Sequence, residues 1–185
     1  MTEKDFLDEI IEEGTARDPN FPAMVDHAYK RRVAQRAAKG SDAMWMLIRV
    51  ELLSGVGRDL NPPPGRDFLV SSEHTFRAFA DAINSAFARW ELSHLHVFRI
   101  GSRDIGTKVE DLDFEDDKRT KIGSHETGAD FFYEFDFGDS WEHRCSVIEA
   151  EVDPDELYGE HPRRPVPIFG WGTIPDQHGR QTPDP

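Results

Sequence analysis

The 185-residue sequence contains one cysteine, no long hydrophobic run and few basic residues in its second half. A single cysteine, Cys145, excludes an internal disulfide, and its place in an apolar row favours a buried reduced thiol. No stretch approaches the roughly 20 apolar residues that a helix needs to cross a bilayer. The N-terminus begins acidic, without the basic start and apolar core of a signal peptide, so we expect a cytoplasmic protein with no membrane contact.

Basic residues are scarce where the acidic ones are concentrated. Between Asp104 and Glu160 the sequence has 5 basic and 19 acidic residues, whereas the remainder is balanced, and the net charge is −14. Because cations that contact phosphates supply most of the affinity for DNA, this charge disfavours nucleic-acid binding by the main domain. It favours a basic protein partner. The basic cluster in residues 28–39 is the one candidate for nucleic-acid contact, although a solvated helix face explains it more simply.

The spacing of apolar residues and prolines divides the chain into three parts. Residues 1–40 show helical spacing and are predicted to form a helical N-terminal arm, followed by a main domain at 44–158. Residues 159–185 form a proline-rich tail, which excludes long helices and central strands there. The acidic stretch 104–130 has few apolar anchors and is predicted to be a mobile surface excursion with at most a short helical turn.

Within the main domain, the apolar period predicts strands around one helix. Alternate residues from Met44 to Leu52 are apolar, which is typical of a strand with one buried face. Residues 75–89 carry an apolar stripe at helical spacing. We therefore predict an α+β fold, a mostly antiparallel sheet with this helix packed across one face, β-grasp-like in arrangement, plus the helical N-terminal arm.

The richest stretch, FFYEFDFGDSWEHRCSV at 131–147, predicts a β-hairpin with an aromatic inner face. A three-residue turn at 138–140 would pair Phe137 with Trp141, Phe135 with His143 and Tyr133 with Cys145. It would also place two carboxylates, Asp136 and Glu142, opposite each other, which is unfavourable without a proton, a cation or a third group between them. We therefore predict a binding surface at the hairpin tip, formed by Asp136, Asp139, Trp141 and Glu142. Ordinary turn chemistry, in which Asp139 bonds its own backbone and Gly138 takes a positive φ, is the simpler explanation of this cluster.

Two histidines, His94 and His96, lie two residues apart on a predicted strand and would share a face. Such a pair can supply two corners of a zinc or manganese site, with Asp139 and His143 as the remaining candidate ligands. Hydrogen-bonded core histidines are the alternative interpretation. No HExxH motif and no further cysteine supports a metal, so no cofactor is expected.

Familiar catalytic motifs are incomplete in this sequence. Asp136-Phe137-Gly138 spells the magnesium-binding tripeptide of kinases, but the phosphate loop and the catalytic loop of kinases are missing. Ser140 lacks the GxSxG context of a nucleophile elbow. We predict no catalytic residue and favour a protein without enzymatic activity.

The order TFRAFADAINSAF, HLHVFRI, an acidic spacer and YEFDFGDSWEHR resembles the plasmid pRiA4b ORF-3-like family, also described as transposon-passenger proteins. The resemblance covers roughly 44–151 and implies an α+β domain of no established activity, so no functional residue is carried over. Two segments depart from the family pattern. NPPPGRDFLV lacks the usual tryptophan and double arginine, and PVPIFGWGTIPDQHGR replaces an acidic, Gly-Gly-containing motif.

Three functions are consistent with these features. The leading hypothesis is a non-catalytic binding or adaptor module that uses its acidic face or the hairpin tip. One alternative is a metal-binding protein or metal-dependent hydrolase built on the HLH strand and the hairpin. The other is a DNA-associated accessory or regulator that acts through the basic N-terminal arm.

Overall fold

The computed structural model describes residues 43–178, which form nine strands and two helices. The strands are β1 (Trp45–Gly55), β2 (Arg58–Asp59), β3 (Gly65–Ser71), β4 (His96–Ile100), β5 (Arg103–Gly106), β6 (Glu115–Asp116), β7 (Asp130–Phe135), β8 (Trp141–Ala150) and β9 (Val166–Trp171). The helices are α1 (Phe76–Ala86) and α2 (Pro154–Tyr158), and neither is long and apolar enough to span a membrane. The predicted helical arm at 1–40 lies outside the described residues.

The nine strands belong to one sheet in the order β6-β5-β4-β7-β8-β1-β3-β9, with β2 paired to the end of β1. All pairs are antiparallel except β5 with β6. β1 lies between β8 and β3, and its alternate residues Met46, Ile48, Val50 and Leu52 are fully buried. The predicted two-residue period of this strand is confirmed, and it defines the face of the sheet that covers the core.

Helix α1 forms within the predicted span and adds its apolar side to the core. Thr75 caps its N-terminus by accepting a hydrogen bond from the Ala78 backbone N–H. The ring of Phe79 stacks on that of Phe98 in β4, with centroids 5.8 Å apart. The helix ends at Ala86, after which Ala88 adopts a positive φ of 54° and turns the chain back toward the sheet.

The predicted α+β class, a mostly antiparallel sheet with one main helix across a face in a β-grasp-like arrangement, is wrong for residues 43–178. Strands account for 40% of the structure and helices for 12%, in one nine-stranded mixed sheet. The physical reason is that segments predicted to be irregular form strands. β5 and β6 involve the acidic stretch, and β9 lies in the proline-rich tail. As an edge strand, β9 tolerates the proline that a central strand would not.

The acidic stretch is anchored by a buried ion pair that hydrophobic periodicity does not reveal. Asp117 is fully buried, and its Oδ2 atom lies 2.7 Å from His96 Nε2 and 3.0 Å from Arg77 Nε. Burial alone would raise the pKa of Asp117, but the hydrogen bond from His96 and the charge of Arg77 outweigh it and lower the pKa. The carboxylate therefore connects β4 and α1 to the segment that was predicted to be mobile.

Replacing Asp117 with asparagine should lower the free energy of unfolding by about 3 kcal/mol, because it leaves the partly buried Arg77 guanidinium without a counter-charge. Urea denaturation would measure the loss. Glu115→Gln is the matched control, since its exposed pair with Arg103 should contribute no more than about 1 kcal/mol. Equal losses in the two variants would contradict a structural role for the buried carboxylate.

Candidate functional site

The β7–β8 hairpin forms as predicted. The strand side chains predicted to face the core do so, but the residues pair across the two strands in a different register. Phe135 lies opposite Trp141, Tyr133 opposite His143, and Phe131 opposite Cys145. The predicted pairing was displaced by two residues. Because the displacement is even, the predicted side chains of the two strands still face the core, and the rings of Tyr133 and His143 are in contact at 5.4 Å. Phe137 was predicted to face inward opposite Trp141, which is wrong: it lies in the turn and is 40% exposed.

The register differs because Asp136 leaves the strand and the connection is five residues long. Asp136 has a positive φ of 58°, and its carboxylate accepts a hydrogen bond of 3.0 Å from the Gly138 N–H. Its carbonyl accepts another from the Ser140 N–H at 2.6 Å. An aspartate that bonds its own turn in this way replaces the three-residue loop. The predicted Asp136–Glu142 pair is therefore wrong.

Glu142 lies opposite Glu134 instead, so the hairpin still contains a pair of facing carboxylates. Arg99 lies 2.8 Å from Glu134, and the Ser140 hydroxyl donates to the same side chain at 3.0 Å. These contacts offset the repulsion on the face of the sheet away from the core. Two of the four predicted tip residues therefore lie on opposite faces of the sheet. Glu142 is on the face away from the core, whereas the indole of Trp141 is buried on the core side.

The structure does not bring the predicted metal ligands together. His94 precedes β4, and its Nδ1 atom lies 3.3 Å from Asp136. His96 contacts Asp117, whereas Asp139 lies 3.9 Å from His178. Throughout residues 43–178, no group of three or more histidine, cysteine or acidic side chains is arranged to hold a metal ion.

His143, the fourth predicted ligand, is fully buried. Its Nδ1 atom lies 3.3 Å from the carbonyl oxygen of Tyr133 and 3.1 Å from that of Trp141. Burial, followed by the positive charge of Arg89, lowers the pKa of His143 to about 3. The imidazole is therefore neutral at physiological pH.

Arg89 is the main residue of this region that sequence reasoning missed. It follows α1, is only 3% exposed, and its guanidinium carbon lies 3.8 Å from the centroid of the Trp141 ring. Burial lowers the pKa of Arg89 to about 10, while the negative charge of Asp176 acts in the opposite direction. The side chain therefore stays cationic at neutral pH. Its position depends on the turn at Ala88, which nothing in the sequence marked.

Trp141 approaches the neighbouring strand closely at Gly55. A Cβ atom at position 55 would lie 2.0 Å from the indole, so only glycine leaves room for the ring. This contact holds Trp141 under Arg89 and fixes the end of β8 against the end of β1.

Residues 174–178, termed here the C-terminal segment, close this end of the sheet. The Pro175 carbonyl accepts a hydrogen bond from Arg89 at 2.9 Å. The fully buried Gln177 side chain accepts from the backbone N–H groups of Trp90 and Glu91. The predicted proline-rich tail therefore contributes residues to the site, a role that requires the fold to bring positions 90 and 177 together.

An exposed surface lies beside this segment, and we call it the tip patch: Trp90, Glu91, Leu92, Asp139 and His178. His178 connects its members, since it lies 3.0 Å from Glu91 and 3.9 Å from Asp139, and its ring contacts Trp90. Trp90 and Leu92 are 56% and 58% exposed. The tip patch thus combines apolar area with two carboxylates at the mouth of the hairpin.

The fold and the site define a mainly β domain with a buried arginine at one end of its sheet. The profile of the plasmid pRiA4b ORF-3-like protein family matches residues 48–175, and the chain belongs to that family. The resemblance seen in the sequence is thereby confirmed.

No curated protein matches the chain. A crystal structure of a protein of unknown function, MM3350 from Methanosarcina mazei Go1, is similar with a TM-score of 0.56 and 19% identity over 69% of each chain. At this identity the likeness shows the fold alone.

The burial of neutral His143 makes stability dependent on pH. The unfolded histidine binds a proton near pH 6.5 and the folded one only near pH 3, so stability is full above pH 6.5 and falls as the pH is lowered toward 3. For one titrating group, the free energy of unfolding can fall by at most about 1.4 kcal/mol per pH unit. We expect His143→Gln to show a shallower decline in unfolding free energy between pH 6 and pH 4. Parallel curves for the two proteins would contradict this.

Proposed function

We propose that this chain is a non-catalytic binding module that docks a basic segment of a partner protein on the tip patch. The observation that carries the proposal is the grouping of the exposed Trp90 with the carboxylates of Glu91 and Asp139 around His178. A second exposed apolar side chain, Leu92, follows Glu91 in the chain. Exposed aromatic side chains are enriched among the residues that contribute most to protein interfaces.

The chemistry of the tip patch suits a lysine or arginine side chain. The aliphatic part of such a side chain would lie on Trp90 and Leu92, and its cation would reach Glu91 or Asp139. The face of an indole also attracts a cation, which adds to the selectivity for basic residues. A purely acidic or purely apolar partner would satisfy only half of this surface.

The charge distribution supports the same partner class. The tip patch adjoins a segment that contains 19 acidic and 5 basic residues, so a basic partner is attracted before contact. At physiological ionic strength the attraction extends about 8 Å, the screening length of the solution. Association should therefore slow as salt is added.

The alternative functions receive no support from the described geometry. The candidate metal ligands form no group arranged to hold an ion within residues 43–178, and the basic cluster at 28–39 lies outside the described residues. A binding module is therefore the function that the arrangement at this end of the sheet favours.

The proposal predicts local dependence on two carboxylates. A labelled peptide of mixed arginine and leucine residues, titrated by fluorescence anisotropy, should bind Glu91→Gln/Asp139→Asn about fivefold to tenfold more weakly than the parent protein. The matched control is Glu110→Gln/Asp111→Asn, which removes the same charge from the acidic stretch. We expect less than about a twofold change there.

Equal weakening in both double variants would show attraction by overall charge alone and would contradict a specific patch. The same conclusion would follow if Trp90→Ala left the affinity unchanged at high salt, where the apolar contact should dominate. Thermal unfolding of every variant establishes that the fold is retained.

A further inference from the structure

We propose that Arg89, Trp141 and His143 form an enclosed binding site for a small oxyanion that carries a hydroxyl group, with inorganic phosphate as the representative ligand. The site lies beneath the tip patch and is independent of the peptide-binding role proposed above. It rests on the hydrogen-bonding groups that these three side chains bury.

Each of the three side chains is more than nine-tenths buried, with exposures of 3%, 2% and 0%. Each also carries polar atoms without a hydrogen-bond partner: Arg89 Nε and Nη1, Trp141 Nε1 and His143 Nε2. A buried polar group without a partner costs about 1–3 kcal/mol. Four such atoms in adjacent side chains point to a shared ligand more directly than a single one would.

The three side chains are direct neighbours. The Arg89 guanidinium lies on the Trp141 ring, and His143 follows Trp141 by two residues on the same face of β8. The ring of His143 also contacts that of Phe87, which lies two residues before Arg89, with centroids 4.9 Å apart. The turn after helix α1 and strand β8 thus bring these polar side chains to one end of the sheet.

The chemistry of these atoms defines the ligand. Arginine and tryptophan only donate hydrogen bonds. The Nδ1 atom of His143 faces two carbonyl oxygens, which only accept, so the ring proton lies on Nδ1 and Nε2 is an acceptor. The cluster therefore offers three N–H donors and one acceptor.

A matching ligand has several acceptor oxygens, at least one O–H group and a negative charge to pair with Arg89. Hydrogen phosphate and dihydrogen phosphate meet all three conditions. Sulfate has the oxygens and the charge but no proton at neutral pH, so it would leave His143 Nε2 without a partner. Selection of phosphate over sulfate is thus a direct consequence of the proposed geometry.

Asp176 limits the charge of a ligand that the site can hold, and Pro175 limits the access of the ligand to the site. Asp176 contributes a negative charge near Arg89, which favours a monoanion over a dianion. The Pro175 carbonyl already accepts one Arg89 N–H, so the C-terminal segment lies over the guanidinium. Entry of the ligand therefore requires this segment to move, and binding should be slow.

Isothermal titration of the full chain with inorganic phosphate, in a buffer free of other oxyanions, tests the site. We expect saturable binding at one site, and sulfate should bind about tenfold more weakly because one hydrogen bond is lost. Arg89→Met should abolish the binding of both anions. The matched control is Arg66→Met, another arginine above an aromatic ring, which should leave the phosphate affinity unchanged.

His143→Phe provides a test that does not depend on Arg89. Removing the acceptor should reduce the phosphate affinity to that of sulfate while the sulfate affinity stays the same. Absence of saturable phosphate binding, or equal affinity for the two anions in the parent protein, would overturn the proposal. Peptide binding tests the tip patch and phosphate binding tests the buried site. A negative result in one experiment therefore does not decide the other proposal.

Discussion

A continuous series of aromatic contacts holds this structure together. The ring of Phe79 in α1 stacks on Phe98 in β4, Phe98 contacts Tyr133 in β7 at 4.5 Å, and Tyr133 contacts His143 in β8. His143 in turn contacts Phe87, directly after the helix, at 4.9 Å. Because the series returns to α1, it fixes the end of the helix against the end of the hairpin. Every feature of the site depends on that juxtaposition.

The same core buries two opposite charges, and it stabilises them differently. Asp117 is placed between His96 and Arg77, so its charge is balanced by one hydrogen bond to His96 and by an ion pair with Arg77. Arg89 instead lies on an indole and retains N–H groups without partners. A buried carboxylate with two partners is a structural element, whereas a buried cation with unused donors has capacity to bind a ligand.

The two segments in which this chain departs from the family pattern contact each other. Gly65 in β3 pairs with Trp171 in β9, and the Trp171 indole donates to the Pro63 carbonyl at 3.1 Å. A side chain at Gly65 would overlap the indole, since its Cβ would lie 2.1 Å from the ring. Gly65 therefore leaves room for Trp171, and the two segments pack together at this edge of the sheet.

The sequence alone determined which residues of strands β1, β7 and β8 face the core, because side chains alternate strictly along a strand and any even shift of register preserves the pattern. It also indicated the family. Only the tertiary structure decided the class of the fold, the register of the hairpin and which residues form the site. Arg89, Asp117 and Gln177 are buried through contacts with residues distant in the chain, and such contacts follow from topology, which local spacing does not encode.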